Sequence, residues 1–191
     1  MTAADSIAAV TTLSFDIAVL DLQLPLSVGA RIELVSRETA FDGDALRALV
    51  ERTQVTVLQG TPATWRLLVA AGWQGRKPFK VICGGEPFPK DLATWLVTRV
   101  SEVWNGYGPT ETTVYSTMHL IRPDFQKIVI GHPVGNTQVY VLDAARRQVP
   151  LGTVGDLWIG GEGVSLGYLG RPDLTRERFV PDPFRPGSKM Y

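Results

Sequence analysis

Nine consecutive residues, Asn105-Gly106-Tyr107-Gly108-Pro109-Thr110-Glu111-Thr112-Thr113, combine an aromatic face, two glycines, several hydroxyls and one carboxylate. Such a set is suited to stacking a base, admitting a ligand close to the backbone, hydrogen-bonding phosphate oxygens and holding Mg²⁺. A turn around a buried tyrosine is the plainer reading of the same residues. Asp16 stands just ahead of an apolar helical stretch, where it is suited to cap the helix. Gly84-Gly85-Glu86, followed by Pro87, reads as a turn ending a strand. The single cysteine, Cys83, lies in an apolar run and reads as an inert core thiol. His119 and His132 are isolated and have no Ser or carboxylate at the spacing of a triad. Gly160, Gly161, Gly163 and Gly167 miss the G-x-G-x-x-G pattern, and strands rather than a strand and a helix surround them.

The elements that must position these residues alternate in the first part of the chain. Residues 13–15 lead into a helix over 17–28, in which Ile17, Leu20, Leu24 and Val28 fall at helical spacing and Gly29 closes the segment. Residues 31–36 read as a strand. A helix over 45–52 follows, capped by Asp42 or Asp44 and carrying Leu46, Leu49 and Val50 on one face. A β-branched strand over 55–58 comes next, then a helix opened by Thr61-Pro62 and running to Ala71. Strand 79–83, a helix from Pro89 or Lys90 to about Val100 and strand 102–104 complete the series. Trp65, Trp73 and Trp95 read as helical core residues. This rhythm implies a mainly parallel sheet with helices packed on it. In open α/β sheets ligands bind beyond the carboxyl ends of the strands, which is where the nine-residue motif falls.

Eleven of the 19 glycines lie between Gly106 and Gly170, where no long helical pattern occurs. Strands over 114–121, 139–142 and 156–159 form a small antiparallel unit there, between about Ser116 and Gly170. A short helix over 174–180 with Asp173 as its cap and a rigid Pro-rich loop from Pro181 follow. The chain is read as an α/β subdomain over 1–115 and a β-rich portion over 116–191.

Lys and Arg total 19, as do Asp and Glu, so the net charge is zero and nothing draws the chain as a whole to nucleic acid or an anionic membrane. One cysteine and two histidines exclude a disulfide framework and leave little for zinc. No apolar run is long enough for a membrane span, and residues 1–12 lack the features of a signal peptide, which points to the cytoplasm.

Several strings together resemble the adenylate-forming superfamily, above all the adenylation domains of nonribosomal peptide synthetases. The nine-residue motif resembles that family's adenine- and phosphate-contacting segment. Leu13-Ser14-Phe15-Asp16-Ile17-Ala18-Val19-Leu20 resembles the segment bearing its amino-acid-anchoring aspartate. Gly155-Asp156-Leu157-Trp158-Ile159-Gly160-Gly161-Glu162-Gly163-Val164-Ser165-Leu166-Gly167-Tyr168-Leu169 resembles its glycine-rich β-hairpin motif. Thr61-Pro62-Ala63-Thr64-Trp65 and the segment from Gly131-His132-Pro133 to Asp143 are similar as well.

The resemblance implies an α/β core, part of the large N-terminal core of such an enzyme, that uses ATP and Mg²⁺ to make an aminoacyl-adenylate. The acyl group would then pass to the phosphopantetheine thiol of a carrier protein. By the same match Asp16 pairs with the substrate ammonium, Tyr107 stacks on adenine and Asn105 lies near the adenine edge. Thr110 meets the α-phosphate and Glu111 holds Mg²⁺. Gly106 and Gly108 belong to the nucleotide motif, and Gly84, Gly85 and Glu86 form a second wall. The side-chain pocket falls on Ile17, Leu20, Gly60, Ile82, Gly84, Gly106, Val114 and Tyr115. None of these is ionised and three are glycine, which implies a large neutral substrate side chain, aromatic first. The family's lysine-bearing phosphate loop, its ribose-binding aspartate and its C-terminal subdomain with the catalytic lysine find no match. An internal piece, inactive alone and completed by the rest of an adenylation domain, is therefore expected. An acyl- or aryl-CoA ligase of the same superfamily and a non-catalytic engineered subdomain are the alternatives.

Overall fold

In the computed structural model, which describes residues 1–191, the first strand is β1 (Ser6–Ala9), short and alanine-rich yet wholly buried. It precedes the point expected from the sequence: residues 13–15 are loop, because their side chains stay exposed while Ile7 and Ala8 lie inside. Then come α1 (Ala18–Val28), β2 (Arg31–Leu34), α2 (Arg37–Ala40), α3 (Gly43–Thr53), β3 (Val57–Gly60), α4 (Pro62–Ala70), β4 (Lys80–Gly84), α5 (Lys90–Val97), β5 (Glu102–Tyr107) and β6 (Thr117–Ile121). Two compact units result: Met1–Tyr107 with Met118–Gly131, and Gly108–Thr117 with His132–Tyr191. The division is not the single cut at 115/116 read from the sequence.

In the first unit β1 pairs in parallel with β2 and β3, β3 with β4, and β4 with β5. The strand order β2-β1-β3-β4-β5, with β6 next, reverses direction at β1. Right-handed crossovers then send the connections to opposite faces, so α1 covers β1 and β2 while α3, α4 and α5 share the other face. Ala8, Leu58, Val81, Cys83 and Val103 project from the sheet into one core with Leu46, Val50, Trp65, Leu68, Leu92 and Leu96. Cys83 is wholly buried there, and burial pushes its thiol pKa up, as befits a core residue. Trp65, Trp73 and Phe79 are nearly inaccessible and meet at ring centroid distances of 5.2–6.4 Å. Each such side chain is worth about 3 kcal/mol of burial. Trp73 sits in the loop after α4 rather than on a helix.

Asp42 is the cap of α3, accepting from the Ala45 N–H, and Leu46, Leu49 and Val50 are its buried face. Ser36 caps the unanticipated α2. Gly29 takes the left-handed conformation that ends α1. The helix does not bury Leu20, Leu24 and Val28 as its apolar spacing implies; Ala18, Asp21 and Pro25 face inward. Small residues let this helix lie close to β1, and Asp21 has partners there that no periodicity reveals.

The second unit holds the two-residue strand β7 (His132–Pro133) and β8 (Thr137–Leu142), β9 (Asp156–Gly161), α6 (Pro172–Arg178), β10 (Val180–Pro181) and β11 (Lys189–Met190). Its antiparallel sheet runs β10-β11-β9-β8, with Thr137 opposite Gly161 and Leu142 opposite Asp156. Leu142, Val180 and Met190 form a small core with Tyr140 and Trp158 against it. The Pro-rich tail is the loop expected from the sequence except for Pro181, which ends β10; residues 182–188 then connect β10 to β11. β6 starts three residues later than expected because Thr113 and Val114 both take φ of 65°, outside any strand. Asp173 lies inside α6, whose first position is Pro172 and whose N-cap is Arg171.

Candidate functional site

The reversal of strand order at β1 opens a crevice beyond the carboxyl ends of β1 and β3, the switch point where open α/β sheets take ligands. A cavity of about 380 Å³ occupies it. Val10, Thr11 and Thr12 line it from the end of β1, Gln59, Gly60 and Thr61 from the end of β3, and Phe15, Ile17, Phe41, Thr64 and Leu67 complete its walls. The lining is mostly apolar, with a polar strip of threonines and one amide. Ile17 and Gly60 are the predicted pocket residues that line it; Leu20, Ile82, Gly84 and Gly106 do not. The latter glycines form a pair of their own, since Gly84 on β4 registers with Gly106 on β5, one strand step from Cys83 and Asn105. Gly85, at φ 81°, turns the chain back so that its α-carbon faces Ile17, Thr61 and Phe15, with an added methyl meeting Ile17 at 3.5 Å. Glu86 follows on the exposed turn.

Gly60 does not open space. A β-carbon there would stand 2.8 Å from that of Thr64, so the glycine is required by the close passage of α4. Asp16 is half-buried and leads into α1, whose N-cap is Ile17 with no side-chain cap bond. The helix-cap role for Asp16 is thereby removed, while its anchoring role is left as a proposal. Asn105 is buried and donates its amide to the Val129 carbonyl at 2.9 Å, which fixes the returning loop. Tyr107, at the end of β5, is 38% exposed and presents its ring to solvent.

Gly108 onward belongs to the second unit. Thr110–Thr112 is a single 3₁₀ turn, and Thr112 and Ser116 hydroxyls meet at 2.6 Å beneath it. The glycine-rich turn after β9 grips this segment. Ser165 N–H donates to the Glu111 carbonyl at 2.8 Å, the Thr113 hydroxyl to the Gly163 carbonyl at 2.7 Å and the Tyr168 hydroxyl to Glu111 Oε1 at 2.5 Å. Burial raises the Glu111 carboxyl pKa, but the Tyr168 bond, helped by Tyr191 and the charge of Arg178, outweighs it and holds the group below its ordinary value. The same bond pushes the Tyr168 hydroxyl up. Val114 and Tyr115 are buried behind the turn.

No cluster of three or more His, Cys, Asp or Glu forms a protein-only metal cage. Mg²⁺ with a phosphate substrate ordinarily uses one or two carboxylates, so a lone ionised Glu111 fits that donor set.

A sequence profile of the AMP-binding enzyme family matches residues 1–169. The chain belongs to the AMP-binding enzyme family. Within it the chain is 43% identical to a dimodular nonribosomal peptide synthase of Bacillus subtilis (strain 168), over 98% of its own length and 8% of that protein's. A holo four-domain nonribosomal peptide synthetase bound to AMP and glycine superposes with TM-score 0.93 at 40% identity, covering the whole chain and 14% of that protein. The N-terminal subdomain of Klebsiella oxytoca NpsA, in complex with 3-hydroxyanthranilyl-AMSN, gives TM-score 0.88 at 26% identity over the whole chain and 49% of that protein. The chain therefore spans a small part of the length of its synthetase relatives. The resemblance read from the motifs is confirmed, as is the α/β fold with its mostly parallel sheet and separate antiparallel sheet. No helix is long and apolar enough to cross a membrane.

The sequence reading missed Thr11, Gln59, Phe41 and Asp21. Gln59, a polar residue inside the buried run Val57–Gly60, and Asp21, an acid inside an apolar helix, were signals available in the sequence. Thr11 and Phe41 carried none.

Proposed function

We propose that the chain supplies residues for amino-acid and nucleotide binding in an ATP-dependent adenylation domain of a nonribosomal peptide synthetase. The observation that carries this reading is the cavity at the strand-order switch point, lined by Phe15 and Ile17, the residues on either side of Asp16. A substrate carboxylate oxygen attacks the α-phosphorus of ATP, pyrophosphate leaves, and an aminoacyl-adenylate forms. Its acyl group then passes to a carrier-protein phosphopantetheine thiol. Asp16 pairs with the substrate ammonium, because an ammonium removed from water needs a carboxylate partner. Tyr107 stacks on adenine, Thr110 donates to the α-phosphate, and Glu111, held ionised, binds Mg²⁺, which neutralises phosphate charge. The chain's own residues position and stabilise charge rather than forming a covalent intermediate.

The pocket is proposed to take a neutral side chain, large and aromatic first, against the apolar walls of Phe15, Ile17 and Phe41. The glycine-bound relative at 40% identity favours a second reading, a small amino acid, and the closing of Gly60 by Thr64 supports it. The aryl-bound NpsA subdomain keeps an aryl acid in the comparison. Pyrophosphate exchange by the synthetase module carrying this chain decides among them, with phenylalanine, tyrosine, leucine, glycine and hydroxyanthranilate as substrates. Exchange with none of the amino acids would overturn the reading. The chain covers about half of the NpsA subdomain, and the 191 residues alone are proposed to lack turnover; exchange by them above a denatured control would refute that.

A further inference from the structure

Asp21 is a carboxylate with no exposed surface, on the inward face of α1. Its partners are not cations. Oδ2 accepts from the backbone N–H of Val10 at 3.2 Å and of Thr11 at 3.0 Å, the first two residues beyond β1, and the Thr11 side chain adds to the stabilisation of the carboxylate. In the amide orientation that satisfies every neighbour, Gln59 donates to Asp21 Oδ1 at 3.1 Å and to the Thr11 hydroxyl at 3.2 Å. It also accepts from the Gly60 N–H at 3.1 Å. Val10, Thr11, Gln59 and Gly60 all line the switch-point cavity, whereas Asp21 does not. One buried carboxylate thus ties the outgoing ends of β1 and β3, the two strands between which the order reverses. A charged acceptor is costly to bury, and it is tolerated where several donors converge on it. Here the donors are the wall of the cavity.

We propose that Asp21 is a positioning residue for the substrate cavity: it pins the backbone of Val10 and Thr11 and aims the Gln59 amide, without touching the substrate. This rests on the reading of that cavity as the amino-acid pocket. Asp21→Ala leaves the Val10 and Thr11 N–H groups without this acceptor and removes one of the two bonds that aim the Gln59 amide, so the loop after β1 loosens and the wall loses its shape. Asp21→Asn retains one oxygen for the two N–H groups, and its amide reaches Gln59 if that side chain turns over.

The test uses the synthetase module carrying this chain. Asp21→Ala raises the amino-acid KM about tenfold or more, with the ATP KM and kcat within about threefold, because a misplaced wall weakens substrate positioning selectively. Asp21→Asn recovers most of that loss. Hydrogen exchange at the Val10 and Thr11 amides speeds by about tenfold or more in Asp21→Ala, while the Leu58 amide in the middle of the sheet is unchanged. The proposal is overturned if these two amides exchange as before. It is equally overturned if both KM values and kcat change in step with the melting temperature, as for a plain loss of folded protein. Should Asp21→Ala not fold, Asp21→Leu, similar in size and without acceptor oxygens, carries the same two measurements with the same expected outcomes. Absence of amino-acid-dependent activity in the unaltered module would refute the functional reading, and the exchange rates would still report the clamp by themselves.

Discussion

At the scale of single residues, two carboxylates have opposite duties. Asp16 is half-buried and makes no cap bond to α1, so its charge is available for a ligand. On the proposed reading, Asp16→Ala in the synthetase module carrying this chain should abolish amino-acid activation by leaving a buried ammonium unpaired, at a cost of about 3 kcal/mol or more. Asp16→Asn fails nearly as badly, since shape is kept and charge is lost. ATP binding measured calorimetrically stays intact in both; near-parental pyrophosphate exchange in either would remove Asp16 from the site. Glu111 is held from within the second unit by Tyr168. Tyr168→Phe removes one hydrogen bond to a charged group and lowers stability at neutral pH by about 1–2 kcal/mol. Because the folded-state pKa of Glu111 is depressed, that difference is present above the ordinary carboxylate value and vanishes as pH falls through the lower folded-state value. Denaturant unfolding of both proteins across pH checks this, and a gap that persists in acid would contradict it.

At the scale of elements, close approach decides which substitutions are tolerated. A β-carbon on Gly163 would stand 2.7 Å from the Thr112 carbonyl oxygen, so the turn after β9 and the Glu111 segment cannot both keep their places. Gly163→Ala should cost about 1–3 kcal/mol by overpacking and should reduce nucleotide affinity as well. A loss of stability with unchanged nucleotide affinity, read by unfolding and calorimetry, would show that the turn does not position Glu111. Glycine-rich segments are easy to find in a sequence. Which glycine answers a close contact, as Gly60 and Gly163 do, is set by neighbours distant along the chain, Thr64 on a helix and Thr112 half a hundred residues away.

At the scale of the whole molecule, two buried acids give stability a pH profile. Burial alone would raise Asp5, but the bonds from Lys80, Thr2 and Thr56 and the Lys80 charge bring it down to about 2. Its contribution is present above the unfolded value near 3.8 and is lost as pH falls toward about 2. Asp21 runs the other way. Burial raises it to about 6 despite the Thr11 and Val10 bonds, so its contribution is full below the unfolded value and declines as pH rises through about 6. These two groups place a stability maximum near pH 4, about 3 kcal/mol above pH 7 for the Asp21 part. Lys80→Met should remove the acid limb, and Asp21→Asn the decline on the other side. Unfolding free energies that are flat between pH 4 and 6 in the unaltered chain would refute the Asp21 assignment.

The family, the fold class and the motif segments were legible in the sequence, because periodicity, caps and the Tyr107-to-Thr113 string are local properties. Asp42 capping α3 and Gly29 ending α1 are of that kind: a side chain or a backbone angle answers to its immediate neighbours. The first strand was not legible, because Ser6–Ala9 is a strand by virtue of β2 and β3 on either side rather than by its own weak propensity. Nor was the buried face of α1, where Asp21 faces inward on account of two N–H groups ten and eleven residues earlier. The sequence determined the family, the fold class and the order of the motif segments. Only the tertiary structure decided that strand order reverses at β1, that a cavity opens there, and that a buried carboxylate holds its wall, since each depends on contacts between segments far apart in the chain.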